Sequence, residues 1–176
     1  MRGVLIIETD GFDDLGLTCS MQAFHRAGIE TVLASPEAGE ITGCKGAELG
    51  LVRTLGTVNP NKFDALVLPG GQVGADGLSI EHKAIELVRD FLWGGKPVAA
   101  ACDGLWLLAV ANVLKGRVVT AAPTGWLEFG HAGAQLREQE IVVDGNLITS
   151  QGCGWGDAFS RALIWAVRKR DIDEGR

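Results

Sequence analysis

Short runs of consecutive apolar residues alternate along this chain with stretches in which apolar residues recur every three or four positions. Val4-Leu5-Ile6-Ile7 is the first run, and four apolar residues in succession predict a strand covered on both faces, as in a parallel sheet. Leu17, Met21 and Phe24 then fall at helical spacing, with Asp13 or Asp14 opening the helix and Gly28 closing it. Residues 31–34 predict a second strand. Gly43, Gly46, Gly50 and Gly56 divide residues 41–58 into irregular short strands or a hairpin, and 63–68 is the next strand. Ser79 is placed to cap a helix with a single stripe of Ile80, Ala84, Leu87, Val88 and Phe91, ending at Gly94-Gly95.

Residues 97–101 then read as a central strand of small residues, 104–112 as an almost wholly apolar and therefore buried helix, and 117–120 as a further strand. Residues 142–147 predict a hairpin with the Asp-Gly signature of a type I′ turn. A closing helix over 158–167 ends in Arg168, Lys169 and Arg170, where cations suit the helix dipole. Such alternation implies an α/β sandwich around a mostly parallel sheet, with 1–170 forming one domain and 171–176 a short polar tail.

Composition narrows the picture. A chain of 176 residues that is 47% hydrophobic and 22% charged is of a size and make-up to bury one core. It holds 25 glycines, roughly twice the usual share, but only five prolines and no glycine period, so collagen and linker readings are excluded. The net charge is −6 and basic residues are scattered, so the counterion release that drives nucleic-acid binding is missing. The first apolar run is too short for a signal-peptide core or a membrane span. A cytoplasmic protein with neither nucleic acid nor membrane as partner is expected. Cys19, Cys44, Cys102 and Cys153 form no C-x-x-C pair and no metal-ligand spacing with His25, His82 or His131, so thiols are expected, with no metal and no cofactor.

Ligands of parallel sheets sit beyond the carboxyl ends of the strands, which directs attention to residues 8–14, 69–77 and 102–104. Val98-Ala-Ala-Ala-Cys102-Asp103-Gly104 runs from a strand straight into a buried helix with Cys at the junction, the layout of a nucleophile elbow. Ala100 and Gly104 supply the small residues that such a turn needs, and the helix start favours thiolate. Leu66-Val-Leu-Pro-Gly70-Gly71 ends a strand in two glycines, and the Gly71 and Asp103 N–H groups are candidates for an oxyanion hole. Nucleotide sites fare worse: neither G-x-G-x-x-G nor G-K-[ST] occurs, and Asp10, Asp13 and Asp14 make the first loop acidic.

These segments, with Leu114-Lys-Gly-Arg117, Val143-Asp-Gly-Asn146 and Ile41-Thr-Gly-Cys-Lys-Gly46, resemble the ThiJ/PfpI superfamily over nearly the whole chain. The resemblance implies a flavodoxin-like three-layer sandwich similar to the class I glutamine amidotransferase domain, a dimer or multiple of dimers, and the elbow cysteine as the reactive residue. Members are described as intracellular proteases or amidases, glyoxalase or deglycase enzymes and thiol-based stress proteins. The family's acid on the first helix corresponds to Gly16, and its histidine, directly after the cysteine or just before a later proline, corresponds to Asp103 or Ala122. Both customary partners of the thiol are missing.

Asp103 can act as a helix N-terminal acid or, if its pKa is raised, as a proton donor. Asp13 and Asp14 either cap the first helix or reach the thiol. His131 is either a solvated loop residue or a base, and Cys19 either a core cysteine or a resolving thiol. Trp126 and Trp155, both beside glycines on loops, are expected to line the pocket or an oligomer contact, with Gly70, Gly104 and Cys153 near the same site. The leading expectation is a cofactor-independent thiol enzyme using Cys102 on a small-molecule carbonyl or amide substrate. The alternatives are a redox sensor in which Cys102 is oxidised, and a scaffold that has lost its chemistry.

Overall fold

A computed structural model describes residues 3–68, 81–152 and 157–175. Among these residues five α-helices accompany an eight-stranded sheet and a separate two-stranded one. In chain order these are β1 (Gly3–Ile7), α1 (Asp14–Arg26), β2 (Glu30–Ser35), β3 (Gly39–Thr42), β4 (Glu48–Thr54), β5 (Ala65–Leu68), α2 (His82–Trp93), β6 (Val98–Ala101), α3 (Gly104–Val110), β7 (Val118–Val119), α4 (Trp126–His131), β8 (Gln135–Leu136), β9 (Ile141–Asp144), β10 (Leu147–Ser150) and α5 (Asp157–Asp173). The sheet order is β3-β4-β2-β1-β5-β6-β10-β9; the central strands run parallel, and β3 and β9 are antiparallel edges.

The apolar runs become central strands because each has a core on both sides. Leu5, Ile7, Leu66, Leu68, Val98 and Ala100 face Leu87 and Phe91 of α2 and Leu105 and Leu108 of α3. Val4, Ile6, Ala65, Val67, Ala99 and Ala101 face Leu17 and Phe24 of α1 and Phe159 and Leu163 of α5. This is the α/β sandwich expected from the pattern, in the three-layer, flavodoxin-like form that the family resemblance implied.

Several local expectations change. Ser79, the expected cap of α2, lies outside the described residues; Glu81 occupies the N-cap, its carboxylate accepting from the Lys83 N–H. Residues 41–58 resolve into the β3–β4 hairpin with a register irregularity and a 3₁₀ turn at Leu55–Thr57. The expected strand at 117–120 shrinks to β7, which pairs with β8 in a separate two-stranded sheet.

The late hairpin turns at Gly145-Asn146, since Asp144 still pairs with Leu147. Only Gly145 of the two has positive φ (58°), which fits type II′ rather than type I′. Asn146 instead points its amide at the Leu92 and Lys96 carbonyls (2.9 and 3.0 Å), tying the turn to the end of α2. Asp144 is held by the Arg117 guanidinium (2.8 Å) and the Val118 N–H (3.0 Å). Desolvation raises its pKa, but these partners outweigh that and hold the carboxyl below its ordinary value. Finally, α5 continues through Asp173 and buries Asp171, so residues 171–173 belong to the helix rather than to a tail.

Candidate functional site

Strand order determines which residues meet at the carboxyl edge. Ile6 pairs with Val67 and Val67 with Ala99, so two residues further on Glu8 stands level with Ala101, and Cys102 follows it. Ala99, Ala100 and Ala101 are fully buried, as expected of a strand hemmed in by β5, β10 and helices on both faces.

Cys102 makes the turn from β6 into α3 with φ +48°, a left-handed conformation that a non-glycine residue adopts at a cost of about 1–2 kcal/mol. Its N–H donates to the Ser150 carbonyl (3.4 Å), and its carbonyl accepts from the Leu105 N–H (3.3 Å), so the strained residue is held from the neighbouring strand and from the helix. Gly104 is buried behind it. The Cys102 sulfur is engaged in a disulfide, whereas Cys19 and Cys44 are free thiols. The expectation of four thiols is corrected at Cys102, whose sulfur is oxidised.

Asp103 occupies the N-cap of α3 in a helical conformation, and its side chain makes no cap hydrogen bond. Partial burial pushes its carboxyl above the ordinary value. α3 is seven residues long, shorter than expected, so its dipole is correspondingly modest.

The remaining candidates separate. Asp14 accepts from the Lys45 and Ala47 N–H groups (2.8 and 2.7 Å) and from the Cys44 thiol (3.5 Å). Desolvation raises its pKa, but these donors prevail and lower it. It therefore latches loop 42–47 to the start of α1. Asp13 is the N-cap of α1, without a side-chain cap bond, and its charge acts on Glu8.

Cys19 is a free thiol exposed on α1 rather than a core residue. His131 ends α4, exposed to solvent. Trp126 is not on a loop: it opens α4, packs against the core, and donates its indole N–H to the Ala121 carbonyl (2.8 Å). Gly70, Gly71, Cys153 and Trp155 lie outside the described residues.

One residue escaped the sequence reading. Glu8, directly after β1, is 2% exposed, and its N–H donates to the Ala34 carbonyl (2.9 Å), extending the parallel ladder. Its Oε1 has no hydrogen-bond partner among the described residues. Desolvation, and secondarily the charge of Asp13, push its carboxyl well above the ordinary value against a backbone hydrogen bond from Thr9. The available signal was periodicity: Val4, Ile6 and Glu8 share a face, so a strand continuing past Ile7 carries the acid inward. No group of three or more His, Cys, Asp or Glu placed to hold a metal occurs among the described residues, nor does a helix long and apolar enough to cross a membrane.

Comparison with known proteins is consistent in family and fold. A deglycase of Thermococcus kodakarensis is 37% identical over 165 residues, covering 94% of this chain and 99% of its own. Protein/nucleic acid deglycase 2 of Escherichia coli is 37% identical over 166 residues, with coverage of 93% and 96%. The crystal structure of a ThiJ/PfpI domain protein from Brachyspira murdochii superposes with a TM-score of 0.88 at 25% identity, covering 96% of both chains. The DJ-1/PfpI family model matches residues 2–166, and the chain belongs to that family.

Proposed function

We propose that this protein is a cysteine-dependent enzyme of the deglycase or glyoxalase type, acting on a small carbonyl compound or its adduct through Cys102. The observation that carries this reading is the positive φ of Cys102 at the junction of β6 and α3. Strained non-glycine residues concentrate where presentation of a side chain matters, and this turn serves as the nucleophile elbow. Relatives of near-equal length named as deglycases support the substrate class.

In the reaction the freed Cys102 thiolate attacks a carbonyl carbon. A C–S bond forms, the carbonyl π pair moves onto oxygen, and the Asp103 N–H, with that of Gly71, holds the oxyanion until it takes up a proton. The disulfide must first be opened, as in a reducing cytoplasm. Turnover of methylglyoxal and of simple amides by reduced wild type and Cys102→Ser tests the proposal. Turnover lost in the variant is expected; equal turnover overturns it.

The disulfide itself favours a second reading, in which Cys102 is a redox sensor. Mass spectrometry of reduced protein after mild peroxide should then show oxidation dominated by Cys102, and modification spread evenly over all four cysteines would refute this. A homo-oligomer is part of the proposal: Leu15 on α1 and Leu127 on α4 are 63% and 68% exposed, apolar surface that a second copy of the chain would cover. Sedimentation velocity tests it, and a monomer at micromolar concentration refutes it.

A further inference from the structure

A carboxyl that is almost wholly buried and has an oxygen without a partner is costly, and few survive in a fold unless something else uses them. Glu8 is in that position. It ends the central strand β1 at the carboxyl edge of the sheet, and its N–H keeps the ladder with β2. It stands two strands across from Ala101, about 10 Å between backbones. Cys102 is the residue that follows Ala101, so Glu8 and the elbow turn lie at the same edge of the sheet. Glu8 shares the face of Val4 and Ile6, toward α1, where the helix turns Gly16 inward and so brings no side chain of its own.

The state of the sulfur bears on the oxygen that has no partner among the described residues. A disulfide sulfur is a weak acceptor, whereas a thiolate is a strong one, so opening the bond supplies Glu8 with the acceptor it lacks. We propose that Glu8 is the positioning acid of this site, its carboxyl group donating a hydrogen bond to the Cys102 thiolate once the disulfide is opened. This rests on the reading of Cys102 as the reactive residue. The other charged groups at this edge are Asp10 and Asp13 in the β1–α1 loop, Asp14 at the start of α1 facing Lys45, and Asp103 at the start of α3. Of these only Asp13 acts on Glu8, and burial first, with that charge second, favours its protonated, donating form.

The test is the pH profile of Cys102 alkylation by iodoacetamide in the reduced full-length protein, read by peptide mass spectrometry, with the exposed Cys19 and Cys44 as internal references. Glu8→Leu removes the donor, and the Cys102 midpoint should rise by about one pH unit, a roughly tenfold loss of thiolate at neutral pH. Glu8→Gln keeps a donor and should leave the midpoint near wild type. The reference profiles should not move, which a merely structural role of Glu8 cannot reproduce. Glu8→Met, of similar length, replaces Glu8→Leu if that variant does not fold. No shift in the apolar variant, equal rises in both variants, or the fall expected on removing an ionised neighbour overturns the proposal. Turnover lost in Cys102→Ser alongside an unchanged Glu8→Leu profile sinks Glu8 alone. Turnover kept in Cys102→Ser sinks the enzyme reading, while the alkylation profile still decides for Glu8.

Discussion

The left-handed backbone at Cys102 makes an unusual prediction, that glycine will stabilise the protein at the position where the chemistry is proposed. At φ +48° an L-residue costs about 1–2 kcal/mol because Cβ crowds the following carbonyl, and glycine removes that cost. Glycine also gains freedom in the unfolded chain, which offsets about 0.5–1 kcal/mol. The balance favours glycine over alanine by about 0.5–1 kcal/mol, the reverse of their order in a helix or strand interior. Alanine is the proper reference because it too lacks the sulfur but keeps Cβ. For a chain of 176 residues this is a difference in Tm of about 1–4 °C. Thermal unfolding of Cys102→Gly and Cys102→Ala, followed by circular dichroism with wild type held reduced alongside, measures it. Both variants should lack turnover, so Cys102→Gly would be the more stable and inactive of the two. A Cys102→Gly protein that melts at or below Cys102→Ala would show that the turn stores no strain.

Five further outcomes follow from the contacts. Without reductant, Cys102 should resist iodoacetamide and turnover should be low; reductant should restore both, and Cys19→Ser and Cys44→Ser should behave as wild type. A double-mutant cycle on Arg117 and Asp144 should give a coupling of about 0.5–1 kcal/mol, since the pair is partly solvated. The folded Asp144 carboxyl lies below its ordinary value, so its contribution is present at neutral pH and is lost as pH falls through that depressed pKa; a Tm gap between wild type and Asp144→Ala that is unchanged at acid pH contradicts this. Glu8 has the opposite sign: its folded pKa is raised, so ionisation of the unfolded chain opposes folding above the ordinary carboxylate range. Glu8→Leu should therefore raise Tm at pH 7.5 and gain less at pH 4, and an equal gain at both would refute the burial argument. At Gly43 an added Cβ would lie 2.5 Å from the Asp14 carboxylate, so Gly43→Ala should free loop 42–47 and speed its cleavage in limited proteolysis.

The layered fold was legible because central strands of a parallel sheet need apolar residues on both faces, and Val4 to Ile7 or Val98 to Ala101 can hardly serve elsewhere. Edges and turns were less so. The Asp-Gly pair at 144–145 reads as the centre of a hairpin, but Arg117 and the Val118 N–H hold Asp144 in the strand and move the turn one residue on. Asp14 reads from the sequence as a cap of α1 or, less readily, as a contact of the thiol; only the fold shows that loop 42–47, far away in sequence, presents two N–H groups to it. Cys19 is a helical position whose outward face depends on where Gly16, Leu17 and Ser20 pack. Trp126 beside Gly125 suggests a loop aromatic, yet the 3₁₀ turn at Pro123–Gly125 leads directly into α4 and turns the indole to the Ala121 carbonyl.

Gly16 and Glu8 were both visible in the sequence, but their relation depends on which strands are neighbours. Read along the chain, Gly16 is an acid missing from a helix and Glu8 is the polar residue that ends an apolar run. Parallel pairing through β5 carries Glu8 to the level of Ala101, and the period of the strand turns it toward the face where α1 brings a glycine. A strand end is the more rigid support of the two, because its ladder bond to Ala34 fixes the backbone from which the carboxyl extends. Rigidity here also prevents escape: a glutamate on a helix surface can swing into solvent when it ionises, whereas Glu8 stays buried, and burial, with the charge of Asp13, pushes its carboxyl pKa up. An acid that cannot leave and is reluctant to ionise is suited to donating a hydrogen bond, and less so to acting as a base. On the proposed reading the site divides its work, with Glu8 steadying the thiolate and the oxyanion held from the α3 side at Asp103.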